Sequence, residues 1–133
     1  MKIVDINALE KIATDIRKGI LTAVYSAQSG HPGGSLSCAD IFTVLYFNVM
    51  NIDPKDPQSP SRDRFVLSKG HCSPALYATL ARRGFFAESD LATFRKIDSP
   101  LQGHPDKNKV PGVDMSTGSL GQGLSVACGM AYA

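Results

Sequence analysis

The chain has 133 residues, 43% hydrophobic and 20% charged, enough apolar material for the core of one soluble domain and unlike a disordered segment. Fourteen Lys and Arg against twelve Asp and Glu leave a net charge of +2, too little to argue for a nucleic-acid or anionic-membrane surface. The longest apolar stretch, Ile41 to Met50, is half of the roughly 20 residues a membrane span needs.

The N-terminus, Met1-Lys2-Ile3-Val4-Asp5, offers no signal-peptide apolar core. From Ala8 to about Ala27, Leu9, Ile12, Ala13, Ile16, Ile20, Ala23, Val24 and Ala27 recur at helical spacing, and Asn7 with Glu10 suits a capping box. Ser29-Gly30-His31-Pro32-Gly33-Gly34 breaks this helix. A second helix is expected from Ser37 to about Met50, apolar nearly all round and therefore buried. The proline-rich stretch Asp53 to Ser61 reads as a surface loop, and Phe65-Val66-Leu67 as a short strand. A third helix is expected from Ser73, with Pro74 in its first turn, to Gly84. A fourth covers Glu88 to Lys96, and Arg82-Arg83 and Arg95-Lys96 look like helix ends. Irregular chain from Asp98 to Gly118 leads to a small-residue helix, Leu120 to Ala133. One strand cannot make a sheet, so an α/β domain built from this chain has most of its sheet elsewhere. Its helices are then expected to expose apolar faces and to self-associate.

Three cysteines, Cys38, Cys72 and Cys128, are odd in number and far apart, with small or apolar neighbours. They fit neither a zinc ribbon nor a disulfide framework, and read as small hydrophobes in a reducing cytoplasm. All three histidines follow a glycine, in Gly30-His31, Gly70-His71 and Gly103-His104, and all lie in breaks between helices. Imidazole can pass a proton or donate to a phosphate near neutral pH, and an adjacent glycine lets a ligand approach the backbone. Turn histidines that only solvate loops are the plainer reading of any one of them. A metal triad lacks both H-E-x-x-H and a carboxylate at fixed spacing. Ser116-Thr117-Gly118-Ser119-Leu120-Gly121-Gln122-Gly123 leads into the last helix and can present successive amides, though a glycine-rich helix cap explains it equally well. It is neither a dinucleotide fingerprint nor a nucleotide P-loop.

Taken together, these segments resemble the transketolase family. Ser29-Gly30-His31-Pro32-Gly33-Gly34, Ser68-Lys69-Gly70-His71, Gly103-His104-Pro105 and Thr117-Gly118-Ser119-Leu120-Gly121-Gln122-Gly123 match that family's early motifs in order, and Asp63 to His71 matches almost without a break. The wording is most similar to the bacterial split form, whose N-terminal half is a separate subunit. The resemblance implies the α/β thiamine-diphosphate-binding fold, mostly helical in this fragment with few strands. It implies transfer of a two-carbon ketol unit from a ketose phosphate to an aldose phosphate, with thiamine diphosphate and Mg²⁺ as cofactors. His31 and His104 match catalytic residues that meet the sugar's C1 hydroxyl and carbonyl region. His71 matches a contact near the diphosphate. Gly118, Ser119 and Leu120 match the stretch that packs on the cofactor and meets its aminopyrimidine, and Gly34 a position that can also approach it.

The family's Gly-Asp-Gly motif with its downstream Asn, which grips the metal, is not among these residues. Nor are a later histidine and the glutamate that activates the pyrimidine. The expectation is a partial thiamine-diphosphate-binding domain over residues 1–133, truncated before its metal ligands and inactive alone. It would work with a C-terminal transketolase subunit in a homo- or hetero-oligomer. The alternatives are an inert fragment, or a related enzyme such as a deoxyxylulose-phosphate synthase, against which the His-Pro-Gly-Gly and Ser-Lys-Gly-His wording argues.

Overall fold

The computed structural model describes residues 5–133. Helix α1, Ile6–Ala27, buries one stripe, Ala13, Ile16, Ile20 and Ala23, at spacings of three and four residues. Its cap is Asp5 rather than Asn7: the Asp5 carboxylate accepts from the Asn7 backbone N–H at 3.2 Å. Asn7 lies inside the helix, and its side chain leans back on the same carboxylate at 3.4 Å. A carboxylate at the cap also meets the positive end of the helix dipole, which an amide does less well.

The expected Ser37–Met50 helix is instead broken into short pieces. Helix α2, Pro32–Leu36, opens inside the glycine-proline break because proline's fixed φ suits a first turn. Cys38, at φ −110° and ψ 5°, separates it from α3, Ala39–Val44. The chain then widens into a π turn over Leu45–Val49, closed by Met50 N–H donating to the Leu45 carbonyl at 2.7 Å. Only the face carrying Ala39, Phe42, Thr43 and Tyr46 is buried. Ile41 and Val49, more than half exposed, lie outside the core.

Helix α4, Ser73–Arg83, matches the sequence expectation and is the centre of the molecule. Every residue from Ser73 to Ala81 is buried. Gly84, at φ 99°, stops it in the left-handed conformation that glycine adopts freely. Arg83 at its end donates to the carbonyls of Tyr46 and Ile52, tying the π turn to α4. Helix α1 crosses α4 closely at Gly19, where a Cβ would stand 3.0 Å from that of Ala78.

No strand occurs among the described residues. Phe65–Leu67, expected to be one, finds no ladder. The Phe65 N–H donates to the Asp114 carboxylate at 2.7 Å, and Asp114 is also paired with Arg62. The Phe65 ring packs edge-on against Phe42 and Tyr46. The fourth helix is a 3₁₀ stretch, Glu88–Thr93, so Arg95-Lys96 lies beyond a helix end rather than on one. The stretch from Asp98 to Gly118 is irregular as expected, and contributes Leu101, Val110 and Val113 to the core. Helix α5 spans Gly123–Tyr132, starting later than expected because Gly121 turns at φ 87°.

Apolar helix faces are exposed at Leu21 and Tyr25 of α1, Ile41 and Val44 of α3, and Leu124 and Tyr132 of α5. No described helix is long and apolar enough to cross a membrane. Cys38 and Cys72 are buried thiols, whereas Cys128 is exposed on α5.

Asp5→Ala should destabilise the fold by about 1 kcal/mol, the usual cost of losing an N-cap side chain. Asn7→Ala should cost less than half as much, and urea midpoints that rank the two the other way would contradict the cap.

Burial raises the pKa of the Cys38 and Cys72 thiols and of the Tyr46 and Tyr77 phenols. For Cys38 and Cys72 the nearby Lys69 ammonium offsets part of that rise. Such groups keep their protons in the fold at a pH where the unfolded chain releases them. Their contribution is therefore complete below the ordinary thiol value of 9.0 and is lost as pH rises beyond it. Urea midpoints should fall steadily above about pH 9; a flat alkaline profile would contradict the burial of these groups.

Candidate active site

Four loops meet at the entrance to α4, and the segment Ser68–Ser73 touches the other three. The first contact is with the His31 loop. Lys69 Nζ donates to the Gly34 carbonyl at 2.6 Å and to Ser37 Oγ at 3.3 Å, bridging from the 3₁₀ turn Gly70–Cys72 to α2. The His31 and His71 rings then stand edge to face with centroids 5.0 Å apart. Gly34 packs so tightly that a Cβ there would lie 2.6 Å from Cys72 Sγ.

The second contact is with the His104 loop. Ser73 Oγ donates toward the carbonyls of Gln102 and Gly103 at 3.2 and 2.9 Å. Tyr77, one turn on, directs its hydroxyl to the carbonyls of Gln102 and His104 at 2.9 and 3.2 Å. Three successive loop carbonyls are thus held by two hydroxyls from a buried helix. Desolvation keeps the Tyr77 phenol protonated, and so able to donate.

The third contact is with the glycine-rich segment. A Cβ on Gly70 would be 2.5 Å from the Thr117 carbonyl oxygen, so only glycine lets the two backbones touch. Gly121 N–H donates to the Ser68 carbonyl at 3.0 Å, and Gly123 lies against the Ser68 backbone. Gly118 faces the His104 ring, at van der Waals distance from where a Cβ would be.

The structure therefore brings His31 to His71 and His104 to Gly118. His31 and His104 are exposed and His71 is half-buried. Ser119 and Leu120 lie exposed in the turn before α5, with Leu120 70% exposed, a large apolar surface beside the histidine loops. Two hydroxyls among the converging loops, Ser68 Oγ and Thr117 Oγ1, are buried without a hydrogen-bond partner. Nothing crowds a Cβ position at Gly33 or Gly121. Uncrowded glycine backbone and exposed imidazoles fit a polar ligand that takes hydrogen bonds. A metal ion is another matter: among the described residues no three His, Cys, Asp or Glu side chains converge to hold one. An apolar cavity of about 550 Å³ opens elsewhere, among Phe86, Ile97, Leu101 and Val110, and no histidine lines it.

Sequence reasoning assigned no role to Ser73, Tyr77 or Lys69. Ser73 and Tyr77 sit four residues apart on a helix otherwise made largely of small and apolar residues. Polar groups at that spacing on a buried helix must find partners, which was the available signal.

The packing of the loops on α4 separates two glycines of the same motif set. Gly70→Ala should cost about 1–3 kcal/mol through its clash with the Thr117 backbone. Gly33→Ala, inside α2 with open space around it, should be neutral or stabilise by up to about 1 kcal/mol. Equal denaturation midpoints for the two variants would mean that the loops do not pack this way.

Residues 8–133 match the family model described as transketolase, thiamine diphosphate binding domain. The chain is 50% identical over 127 residues to the transketolase of Homo sapiens, covering 96% of this chain and 20% of that protein. It is 46% identical over 128 residues to an apulose-4-phosphate transketolase subunit of Phocaeicola vulgatus, covering 96% of this chain and 45% of that protein. Among solved structures, transketolase from Leishmania mexicana superposes with a TM-score of 0.89 at 40% identity, over 92% of this chain and 18% of that one. The chain thus spans between a fifth and about half of the curated relatives it matches. A family match over nearly the whole chain, with the same backbone, is decisive: the chain belongs to the transketolase family, in its thiamine-diphosphate-binding domain.

Proposed function

We propose that these residues supply part of the thiamine diphosphate and sugar site of a transketolase. The reaction is transfer of a two-carbon ketol unit from a ketose phosphate to an aldose phosphate. The observation that carries this reading is the meeting of the His31, His71 and His104 loops at the α4 entrance, with His31 against His71 and His104 against Gly118.

In this reading His31 and His104, both exposed, meet the sugar's C1 hydroxyl and carbonyl region and exchange its protons. His71, held against His31, donates to the diphosphate. Gly118, Ser119 and Leu120 offer backbone groups and one apolar side chain to the aminopyrimidine side, and Gly34 lines the approach. Thiamine diphosphate, when bound, supplies the electron sink that stabilises carbanion character at the reacting carbon. Mg²⁺ would be gripped by residues other than those described, since none of them cluster to hold it. Residues 1–133 are then a partial thiamine-diphosphate-binding domain, completed by residues outside them and by a C-terminal subunit in an oligomer. Relatives in Phocaeicola vulgatus and in a Clostridium are named as transketolase subunits, which supports a separate partner chain. Cysteines present as free thiols fit a cytoplasmic setting.

The test combines these residues with the rest of the site and a C-terminal subunit, in the presence of thiamine diphosphate and Mg²⁺. Ketol transfer should appear only in the assembled protein, and His104→Ala should lower kcat by about 10²–10⁴. Calorimetry on residues 1–133 alone should show weak cofactor binding or none. Micromolar binding by these residues alone, or no transfer from any ketose phosphate after assembly, would overturn the reading.

A further inference from the structure

Arg95 adopts φ 61°, one of two non-glycine residues among those described with positive φ. An arginine in the left-handed region is strained, and strain persists where surrounding contacts over-determine it. Here the contacts are specific. The Arg95 backbone N–H donates to the Leu101 carbonyl at 2.9 Å, which folds the Arg95–Leu101 loop back on itself. The guanidinium passes over the Phe94 ring, 5.4 Å from its centroid. Nη1 donates to Ser29 Oγ. Nε and Nη2 lie 3.0 Å from where a Cβ on Gly103 would be, so that edge of the group abuts Gly103. Phe94 beneath it is buried, and its ring edge is 3.4 Å from the Cβ position of Gly30. Among the described residues no carboxylate pairs with Arg95 within 4.0 Å, so this cation is not placed by a salt bridge.

Arg95 therefore stands between Ser29-Gly30-His31 on one side and Gly103-His104 on the other, touching Ser29 and Gly103 directly. We infer that Arg95 is a positioning residue, fixing the His31 loop relative to the His104 loop through Nη1 on Ser29 and its Nε–Nη2 edge against Gly103. The inference rests on the reading of His31 and His104 as the groups that handle the substrate's protons. A guanidinium suits this place because it can donate from Nη1 to one loop while Nε and Nη2 abut the other, a span that a single ammonium nitrogen lacks. The requirement for glycine at 103 follows, since any side chain there would displace the arginine.

Arg95→Gly is the informative variant, because glycine relieves the positive φ while removing the guanidinium. Its melting midpoint should stay level or rise. Even so, the ring ¹⁵N–¹H signals of both His31 and His104 should shift. Ser29→Ala should move His31 and leave His104 in place. In the assembled enzyme, Arg95→Gly should lower kcat by on the order of 10- to 100-fold with little change in KM, as expected for misplaced reacting groups. Unmoved ring signals for both histidines in Arg95→Gly overturn the inference. If that variant melts instead, an unmoved His31 signal in Ser29→Ala overturns it, and a shifted one supports it. Absence of ketol transfer in the unaltered assembly would sink the functional reading separately, since the ring signals do not depend on turnover.

Discussion

Helix α4 is buried on all sides from Ser73 to Ala81, and that single constraint organises the site. A hydroxyl on such a helix has no water to turn to, and leaving it unpaired would cost about 1–3 kcal/mol. Thr79 satisfies itself by back-bonding to the Ala75 carbonyl at 2.7 Å. Ser73 and Tyr77 instead reach outward, and what they find is the backbone of Gln102, Gly103 and His104. The demand for hydrogen bonds inside the core thus fixes a loop outside it. The same helix entrance carries Gly70 and follows Lys69, so the His31 loop and the glycine-rich segment are referred to one rigid origin. Histidines on loops become precise when the loops are anchored this way.

How much of this could be read from residues alone varied with the range of the forces involved. Helix α4 was legible at both ends because Pro74 and Gly84 are local signals whose meaning does not depend on the rest of the chain. The stripe of α1 was legible for the same reason, although Asp5 displaced Asn7 as cap, since side chains two residues apart compete for one set of amides. The strand at Phe65–Leu67 was misread because extended, apolar sequence specifies a strand only if a partner strand exists, and Asp114 satisfied the Phe65 N–H instead. The run from Ser37 to Met50 was misread because apolar content says nothing about breaks: Cys38 interrupts it and Leu45–Val49 widens it.

For the site, the motif order places all three histidines in breaks between the α-helices: His31 and His104 lie in loops, and His71 in the 3₁₀ turn Gly70–Cys72. Which of them meet was not legible. His31 and His71 are far apart in sequence and are brought together beside a Lys69 bridge to Gly34. Arg95 looked like the end of a helix, and only its φ and its contacts with Ser29 and Gly103 give it a role. Local propensity cannot encode a contact whose two sides are far apart in the chain.

The glycines show how backbone and side chains divide the work. Gly70, Gly112 and Gly123 are places where a Cβ would strike neighbouring atoms closer than 3.0 Å, and these glycines let loops pack. Gly33 and Gly121 have nothing near, and Gly118 meets only the His104 ring. The first group lets the scaffold pack, and the second leaves main chain uncrowded within the same motifs. A surface of backbone amides and imidazoles offers hydrogen-bond donors to a polar ligand. Among the described residues it has no cluster of carboxylates to neutralise a diphosphate's charge with a bound cation. Family membership is therefore a statement about the scaffold and the loops packed on it.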